Sequence, residues 1–225
     1  MCWKNKILHC VQNDTLWKTC IYQQSLTYMY SFYNIGNITK SNKTLSKIIL
    51  RVKILAENQK EKVYWTLLDH GSWKLNIAAT DKGLCYVGSP DAPLEELTEW
   101  VRKHIPNNEL IENKDAMEPY ESELIDYLDG RRKEFTEPLD LRGTKFQQTV
   151  WDELLKVPFG KAATYTEIAE RINRPDAVRA VGTAIGANPV LITVPCHRMF
   201  GKRGEWRGYR GGLKMKEQLL EIEKM

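Results

Sequence analysis

The residues of this chain best suited to chemistry lie together in the segment Val194-Pro195-Cys196-His197-Arg198. Cys196 follows the apolar run 190–194, which is typical of a buried strand, and Pro195 is expected to end that strand because it has no N–H to donate. Basic neighbours lower the pKa of a thiol, and the thiolate is the nucleophile. A lone cysteine is usually a small buried residue, but the adjacent proline, histidine and arginine favour a reactive thiol.

The composition is that of a globular protein with one large domain or two small ones. The chain has 225 residues, of which 42% are hydrophobic and 28% charged, and no stretch approaches the roughly 18 consecutive apolar residues of a transmembrane helix. The N-terminus has no signal-peptide pattern. Five cysteines without a CxxC spacing argue against a disulfide scaffold or a zinc ribbon. We therefore expect a cytoplasmic protein without membrane association.

Charge divides the chain into three parts. Residues 1–62 carry a net charge of +7, residues 63–140 carry −9 and residues 141–225 carry +6, counting Lys and Arg against Asp and Glu. A basic segment indicates polyanion binding only where its charges fall on particular elements, since the alternative is a solvated surface. The same limits give three predicted parts: an N-terminal extension, an acidic scaffold domain and a basic domain that carries the chemistry.

The N-terminal extension, residues 1–62, is predicted to be disordered or foreign to the functional protein, which would then begin near Val63. The segment is polar and sustains no amphipathic period. No zinc-binding spacing connects its candidate ligands, so no metal site is predicted. These candidates are Cys2, His9, Cys10 and Cys20.

Residues 63–140 predict a small α/β domain with an antiparallel sheet. Apolar segments separated by glycine-containing turns indicate three strands, Val63–Leu68, Trp73–Ala78 and Gly83–Gly88. Helical spacing indicates two helices, Leu94–His104 and Glu118–Asp129. No catalytic cluster is evident in this region, which we interpret as a scaffold.

Residues 141–225 predict a helical domain with a helix-turn-helix unit. Thr144-x-x-Gln147 and Thr164-x-x-Glu167 are capping boxes that start two helices, and a third helix is predicted over Ala177–Ile185. Two short helices joined by a tight turn form either a DNA-binding unit or an ordinary helical hairpin.

The third predicted helix has two different faces. Val178, Val181 and Ile185 form an apolar face, and the other face combines one arginine with small residues. Such a face permits close approach to a DNA groove or to another helix, and the arginine favours DNA. The predicted DNA-binding residues are Arg179, Ala180, Gly182 and Thr183.

Four motifs of the C-terminal part occur with compatible spacing: Arg179-Ala180-Val181-Gly182, Asn188-Pro189, Pro195-Cys196-His197-Arg198 and Gly208-Tyr209-Arg210-Gly211-Gly212. This part, from about Phe146 to Glu223, resembles the methylated-DNA–protein-cysteine methyltransferases, which repair guanine alkylated at O-6. Residues 63–140 are similar to the variable N-terminal domain of that family. The resemblance implies an α+β fold, in which the small antiparallel-sheet domain precedes a mostly helical, winged-helix-like domain with the active-site cysteine.

The resemblance also implies a role for each candidate catalytic residue. Cys196 matches the thiol that accepts the alkyl group, His197 the base that deprotonates it, and Glu223 the carboxylate that orients the histidine. Tyr165 matches a proton donor to the base, and Asn188 matches a residue that fixes the loop beside the cysteine. Because adjacent residues of an extended chain point to opposite faces, Cys196 and His197 need a local turn or a bridging water.

The partner implied by the resemblance is double-stranded DNA that contains alkylated guanine, bound by a monomer without a cofactor. The target nucleotide leaves the stack, and Arg179 fills its place from the minor groove. The implied substrate pocket is lined by Val194, Tyr209 and Arg210. Met199 and Phe200 stand where the family commonly has small branched residues, and Trp206 adds bulk in the following loop. We expect these residues to alter the size of alkyl group that the pocket accepts.

Two alternatives use the same residues differently. A DNA-binding module without chemistry would explain the helix-turn-helix unit, but it has no need of a thiol beside His197. A cysteine hydrolase would use Cys196 and His197, but no glycine motif for an oxyanion hole precedes the thiol.

Overall fold

The computed structural model describes residues 60–224. Residues 1–59 of the predicted N-terminal extension lie outside the described residues. The four candidate metal ligands of that extension lie outside them as well. The described residues belong to one compact unit. None of their helices is long and apolar enough to cross a membrane.

The N-terminal part of the described chain is a four-stranded sheet with two helices. Its elements are β1 (Glu61–His70), β2 (Trp73–Thr80), β3 (Gly83–Val87), α1 (Leu94–His104), β4 (Asn108–Glu112) and α2 (Lys114–Leu128). The three predicted strands and both predicted helices are present. The first strand starts two residues ahead of the predicted domain start, and α2 starts earlier than predicted because the Asn113 side chain accepts a hydrogen bond from Ala116 N.

The sheet is mixed, which corrects the prediction of an antiparallel sheet. Its strand order is β3-β2-β1-β4, and β4 pairs with β1 in parallel. Parallel neighbours need a long crossover connection, which α1 supplies. The five residues of β4 include three that are polar or acidic, so the sequence has no alternating apolar pattern that would indicate a strand.

The two helices cover opposite faces of the sheet. The inward residues Leu97 and Val101 of α1 pack with Val63, Cys85 and Tyr86. The inward residues of α2 join a larger core, which continues into the C-terminal part through Val190, Leu191 and Val194. This shared core fixes the sheet relative to the segment that carries Cys196.

The C-terminal part is mostly helical. Its elements are α3 (Lys145–Leu155), β5 (Ala163–Thr164), α4 (Tyr165–Arg171), α5 (Val178–Gly186), β6 (Met199–Phe200) and α6 (Gly212–Ile222). Both predicted capping boxes are formed, by Thr144 with Gln147 and by Thr164 with Glu167. A turn through Asn173 (φ +56°) and a short 3₁₀ helix connect α4 to α5, so the predicted helix-turn-helix unit is present.

The predicted buried strand over 190–194 is wrong. Val190 makes a single bridge to Val87, the following residues turn, and Ile192 adopts φ +69°. The segment is fully buried, as the sequence indicated, but Asn188 takes the place of a neighbouring strand: its side chain bonds to the backbone of Val190 and Val194. A buried turn and a buried strand have the same apolar pattern, so the pattern could not separate them.

Candidate active site

Cys196 lies in a 3₁₀ turn, Cys196–Arg198, at the end of this buried segment. The residue is only 5% exposed, and its Sγ accepts a hydrogen bond from Asn188 Nδ2 at 3.0 Å. Burial raises the pKa of the thiol, while the Asn188 donor and the nearby charges of Arg210 and Lys216 oppose that rise. The resting group is therefore a thiol in surroundings that favour the thiolate once a base removes the proton.

His197 is fully buried, and its side-chain hydrogen-bonding partners lie at the Nε2 atom of the ring. Its Nε2 lies 2.9 Å from Glu223 Oε1 and 3.2 Å from the Tyr127 hydroxyl. Its Nδ1 has no hydrogen-bonding partner among residues 60–224. Because Nε2 faces a carboxylate oxygen, Nε2 carries the proton, and the lone pair of Nδ1 is available to accept one.

The turn at Cys196 corrects the expectation of an extended Cys–His pair. In a 3₁₀ turn the two side chains no longer have to point to opposite faces, yet the free Nδ1 shows that the thiol and the ring are not directly bonded. The local turn is therefore present, and a bridging water stays a prediction.

Glu223 is the C-cap residue of α6, and several donors of the site bond to its carboxylate. Its carboxylate accepts hydrogen bonds from His197, Tyr127, Arg198 and the Gly160 N–H. Burial alone would raise its pKa, but the hydrogen bonds from His197, Arg198 and Tyr127 lower that pKa to about 2. Glu223 is thus a carboxylate at every ordinary pH, and it holds the His197 ring in one orientation.

Tyr127 is the site residue that the sequence did not reveal. It belongs to α2, in the part interpreted as a scaffold, and it lies 96 residues before Glu223. The helical spacing of Leu124, Tyr127 and Leu128 marks a buried face, and tyrosine is a common filler of such faces. No local pattern shows that its hydroxyl reaches the other end of the chain.

Tyr165 opens α4 and is half-buried beside the helix-turn-helix unit. A Cβ atom on Gly182 would lie 3.8 Å from its ring, an ordinary van der Waals distance, so α5 passes close to the ring at this position. Burial and the nearby Cys196 raise the pKa of Tyr165. The hydroxyl therefore keeps its proton and can donate a hydrogen bond.

The structure places the predicted DNA-binding residues on the outer side of α5. Arg179, Ala180 and Thr183 are exposed and Gly182 is half-exposed, while Val181 and Ile185 face the core. Val178, predicted for the apolar face, is half-buried and packs against the core. No carboxylate of the described chain pairs with Arg179, so its charge is available to a partner.

The three predicted pocket residues have different surroundings. The Tyr209 ring packs edge-on against the His197 ring, with 6.5 Å between the centroids, and burial raises its pKa well above the usual value. Val194 is fully buried, and its carbonyl accepts a hydrogen bond from Asn188.

Arg210 differs from the pocket prediction. Its guanidinium donates to the Glu96 carboxylate at 2.8 Å and to the carbonyls of Val87 and Pro189, and it lies over the Tyr86 ring. These groups belong to the N-terminal part and to the turn before Cys196. They bond to both of its terminal nitrogens, so Arg210 anchors the 208–212 loop to the sheet, while its buried Nε has no hydrogen-bonding partner among the described residues.

The bulky residues after the cysteine form an aromatic pair. Phe200 packs edge-on against Trp206, with 6.4 Å between the centroids, and the Lys216 ammonium lies 4.7 Å from the Phe200 ring centre. Lys216 also donates to the Met199 carbonyl at 2.6 Å. Phe200 lines an open depression of about 390 Å³ together with Thr164 and Glu167.

Sequence comparison assigns both parts of the described chain to one family. Residues 63–141 match the ribonuclease-like domain of 6-O-methylguanine DNA methyltransferase, and residues 145–225 match the DNA-binding domain of the same protein. An inducible methylated-DNA–protein-cysteine methyltransferase of Bacillus subtilis is 54% identical over 168 residues, which cover 75% of this chain and 94% of that protein. A methyltransferase of the same name from Methanosarcina mazei is 38% identical over 161 residues, covering 72% and 97%.

Solved structures give the same result. The O6-methylguanine methyltransferase of Mycobacterium tuberculosis aligns with a TM-score of 0.61 and 40% identity, covering 72% of this chain and 93% of that one. A structure of the protein from that organism in complex with DNA aligns with a TM-score of 0.61 and 37% identity, covering 72% and 92%. The chain described here is a member of the 6-O-methylguanine DNA methyltransferase family, with both domains of that family.

Proposed function

We propose that this protein repairs O6-alkylguanine in DNA by moving the alkyl group to Cys196, as a methylated-DNA–protein-cysteine methyltransferase. One observation carries the assignment of the residues. A buried thiol, an imidazole with a free nitrogen and an ionised carboxylate lie together in the part of the chain that also presents the exposed Arg179 on α5. This is the nucleophile, base and orienting group of a covalent transfer.

The chemical step balances with residues of this chain. Nδ1 of His197 takes the thiol proton, directly or through one water, and the sulfur attacks the alkyl carbon. The carbon–sulfur bond forms as the carbon–oxygen bond to guanine breaks, and the base leaves as an anion that takes up one proton from water, while the proton held by His197 returns to water. Tyr165 keeps its proton in the structure, which suits it to donate a hydrogen bond to the departing base. The thioether product is stable, so each chain acts once.

DNA binding follows from the α5 face. Arg179 is exposed and free to enter a groove, and the small residues beside it let the helix backbone approach the duplex. The relative from Mycobacterium tuberculosis was crystallised with DNA, and we infer the same partner here, with the lesion turned out of the stack. Removing Arg179 should weaken binding of the duplex, because no side chain then fills the place that the nucleotide leaves.

We propose residues 63–140 and 141–225 as the two domains. Three further properties stay predictions: the monomeric state, the cytoplasmic location, and the influence of Met199, Phe200 and Trp206 on the size of alkyl group accepted.

The test is mass analysis after incubation with a duplex that contains O6-methylguanine. We expect the peptide with Cys196 to gain the mass of one methylene group, and no gain with unmodified duplex. If the duplex binds but no peptide gains mass, the protein is a DNA-binding module and the proposed function is wrong.

A further inference from the structure

Tyr127, on α2 of the N-terminal domain, contacts two residues of the reaction centre, His197 and Glu223. The residue is 0% exposed on α2, and its ring packs between Phe135 (5.3 Å between centroids) and Phe159 (6.0 Å). This packing leaves the ring one position, with its hydroxyl 2.6 Å from Glu223 Oε1. The hydroxyl is therefore placed by α2 and by the two phenylalanine rings that flank Tyr127.

The hydrogen bonds around this hydroxyl define which atom carries each proton. A tyrosine hydroxyl has one hydrogen, and the short contact with the Glu223 carboxylate uses it. Its oxygen can then only accept from His197 Nε2, which lies 3.2 Å away. Nε2–H thus meets two acceptors, Glu223 Oε1 and the Tyr127 oxygen, and the tautomer with an unprotonated Nδ1 is favoured.

We propose that Tyr127 is a positioning residue of the alkyl transfer, through which the N-terminal domain holds the Glu223 carboxylate and keeps His197 a neutral base with its lone pair at Nδ1. The proposal rests on the roles proposed above for Cys196 and His197. It gives the N-terminal domain a part in the chemistry.

Tyr127 also affects the pKa of His197, because its hydroxyl bonds to the Glu223 carboxylate beside the ring. The titratable and charged groups that face the ring or lie near it are Glu223, Arg198, Tyr127, Tyr209, Cys196 and Lys216. Burial lowers the pKa of His197, and the Glu223 carboxylate opposes that change. Each donor on Glu223 disperses its negative charge and weakens its pull on an imidazolium.

Loss of the Tyr127 hydroxyl should therefore raise the pKa of His197. With one donor fewer, Glu223 becomes a stronger acceptor and stabilises the protonated ring. This effect on a charged group outweighs the loss of the longer contact, 3.2 Å, between Nε2 and the neutral Tyr127 oxygen. The neutral base is then lost at a higher pH than in the wild type. In Tyr127→Phe we expect this pKa to rise by about one unit, which corresponds to one hydrogen bond to a charged group.

The experiment compares Tyr127→Phe with Tyr120→Phe by ¹⁵N NMR of the His197 ring and by single-turnover rates across pH. Tyr120 lies on the same helix, half-buried, and has no contact with the relay. For Tyr127→Phe, the acid side of the rate profile should move to higher pH. The rate should fall by up to about tenfold at pH values below the wild-type pKa of His197 and stay within about threefold of wild type near pH 8.5. Tyr120→Phe should match the wild type in both measurements.

Two results would overturn the proposal. The first is an unchanged His197 titration in folded Tyr127→Phe, whether the rate is unaltered or falls equally at every pH, because a purely structural role does not move the profile. The second needs no variant: a wild-type His197 protonated at Nδ1 in its neutral form contradicts the arrangement. Failure of the wild type to alkylate Cys196 would instead contradict the proposed function, and the NMR titration keeps the two apart.

Discussion

The two cysteines of the described chain are both buried and both free, and burial raises the pKa of both thiols, yet their hydrogen bonds and charged neighbours differ. Cys85, in β3, donates from its Sγ to the Ala78 carbonyl at 3.3 Å, and burial and the nearby Asp140 raise the pKa of its thiol. Cys196 instead receives a hydrogen bond from Asn188 and lies near basic side chains. Burial alone therefore does not decide reactivity, which depends on whether the surroundings stabilise the thiol or the thiolate.

The largest expected effect comes from exchanging each sulfur for oxygen. Cys196→Ser should abolish alkyl transfer while duplex binding persists, because the poorly acidic hydroxyl replaces the nucleophile and the DNA-binding face on α5 is unaltered. Cys85→Ser should transfer the alkyl group at the wild-type rate, since Cys85 makes no contact with the relay. Mass analysis and a gel-shift titration measure the two properties. If Cys85→Ser lost alkyl transfer with the fold intact, the prediction that only Cys196 of these two cysteines is needed for transfer would be wrong.

The next largest effect is expected for Glu223→Gln, which removes the negative charge of the carboxylate that orients His197. The rate should fall about 100-fold, the scale of a positioned general base. The free energy of unfolding should fall by about 3–5 kcal/mol, because the buried Arg198 loses its paired charge. Single-turnover kinetics and chemical denaturation measure these changes. A variant as fast as the wild type would show that the carboxylate does not serve the base.

A smaller effect is expected for Asn188→Ala, which makes the surroundings of Cys196 more like those of Cys85. The thiolate loses its donor at 3.0 Å, and a hydrogen bond to a charged group contributes about 1.5–3 kcal/mol, so we expect a rate about 10- to 100-fold lower. The titration of Cys196 with a thiol reagent should also move to higher pH. An unchanged thiol titration would mean that Asn188 only supports the turn.

The smallest expected effect is a dependence of stability on acid. The pKa of Glu223 is depressed in the folded protein, to about 2, so the stability that its ionisation contributes is present above its unfolded pKa. This stability is lost as the pH falls from about 4.5 towards about 2. Thermal unfolding of the wild type should show this loss, and Glu223→Gln should show less of it. Equal acid dependence in both proteins would contradict the depressed pKa.

Most of the fold could be predicted from local signals. The capping boxes at Thr144 and Thr164 place the starts of α3 and α4 because they are side-chain contacts between residues three apart. The amphipathic period of α1 and the glycine turns of the sheet are local as well. The strand β4 was missed because its pairing with β1 depends on the crossover made by α1 and not on its own pattern.

The site could be predicted only in part. The motif around Cys196 and the inward position of Glu223 are visible in sequence, and the structure brings Cys196, His197, Asn188 and Glu223 together. Three features depend on distant contacts: the Asn188 bonds that turn the 190–194 segment, the Arg210 bond to Glu96, and the Tyr127 hydroxyl on Glu223. Each joins groups from separate elements, so no spacing along the chain could show them.

The most direct measurement of the central claim is a titration with duplex carrying O6-methylguanine labelled in its methyl group. We expect label to accumulate on the protein to one methyl group per chain, all of it on Cys196, and we expect transfer then to stop. Label on another residue, continued turnover beyond one methyl per chain, or release of the methyl group into solution would contradict this expectation.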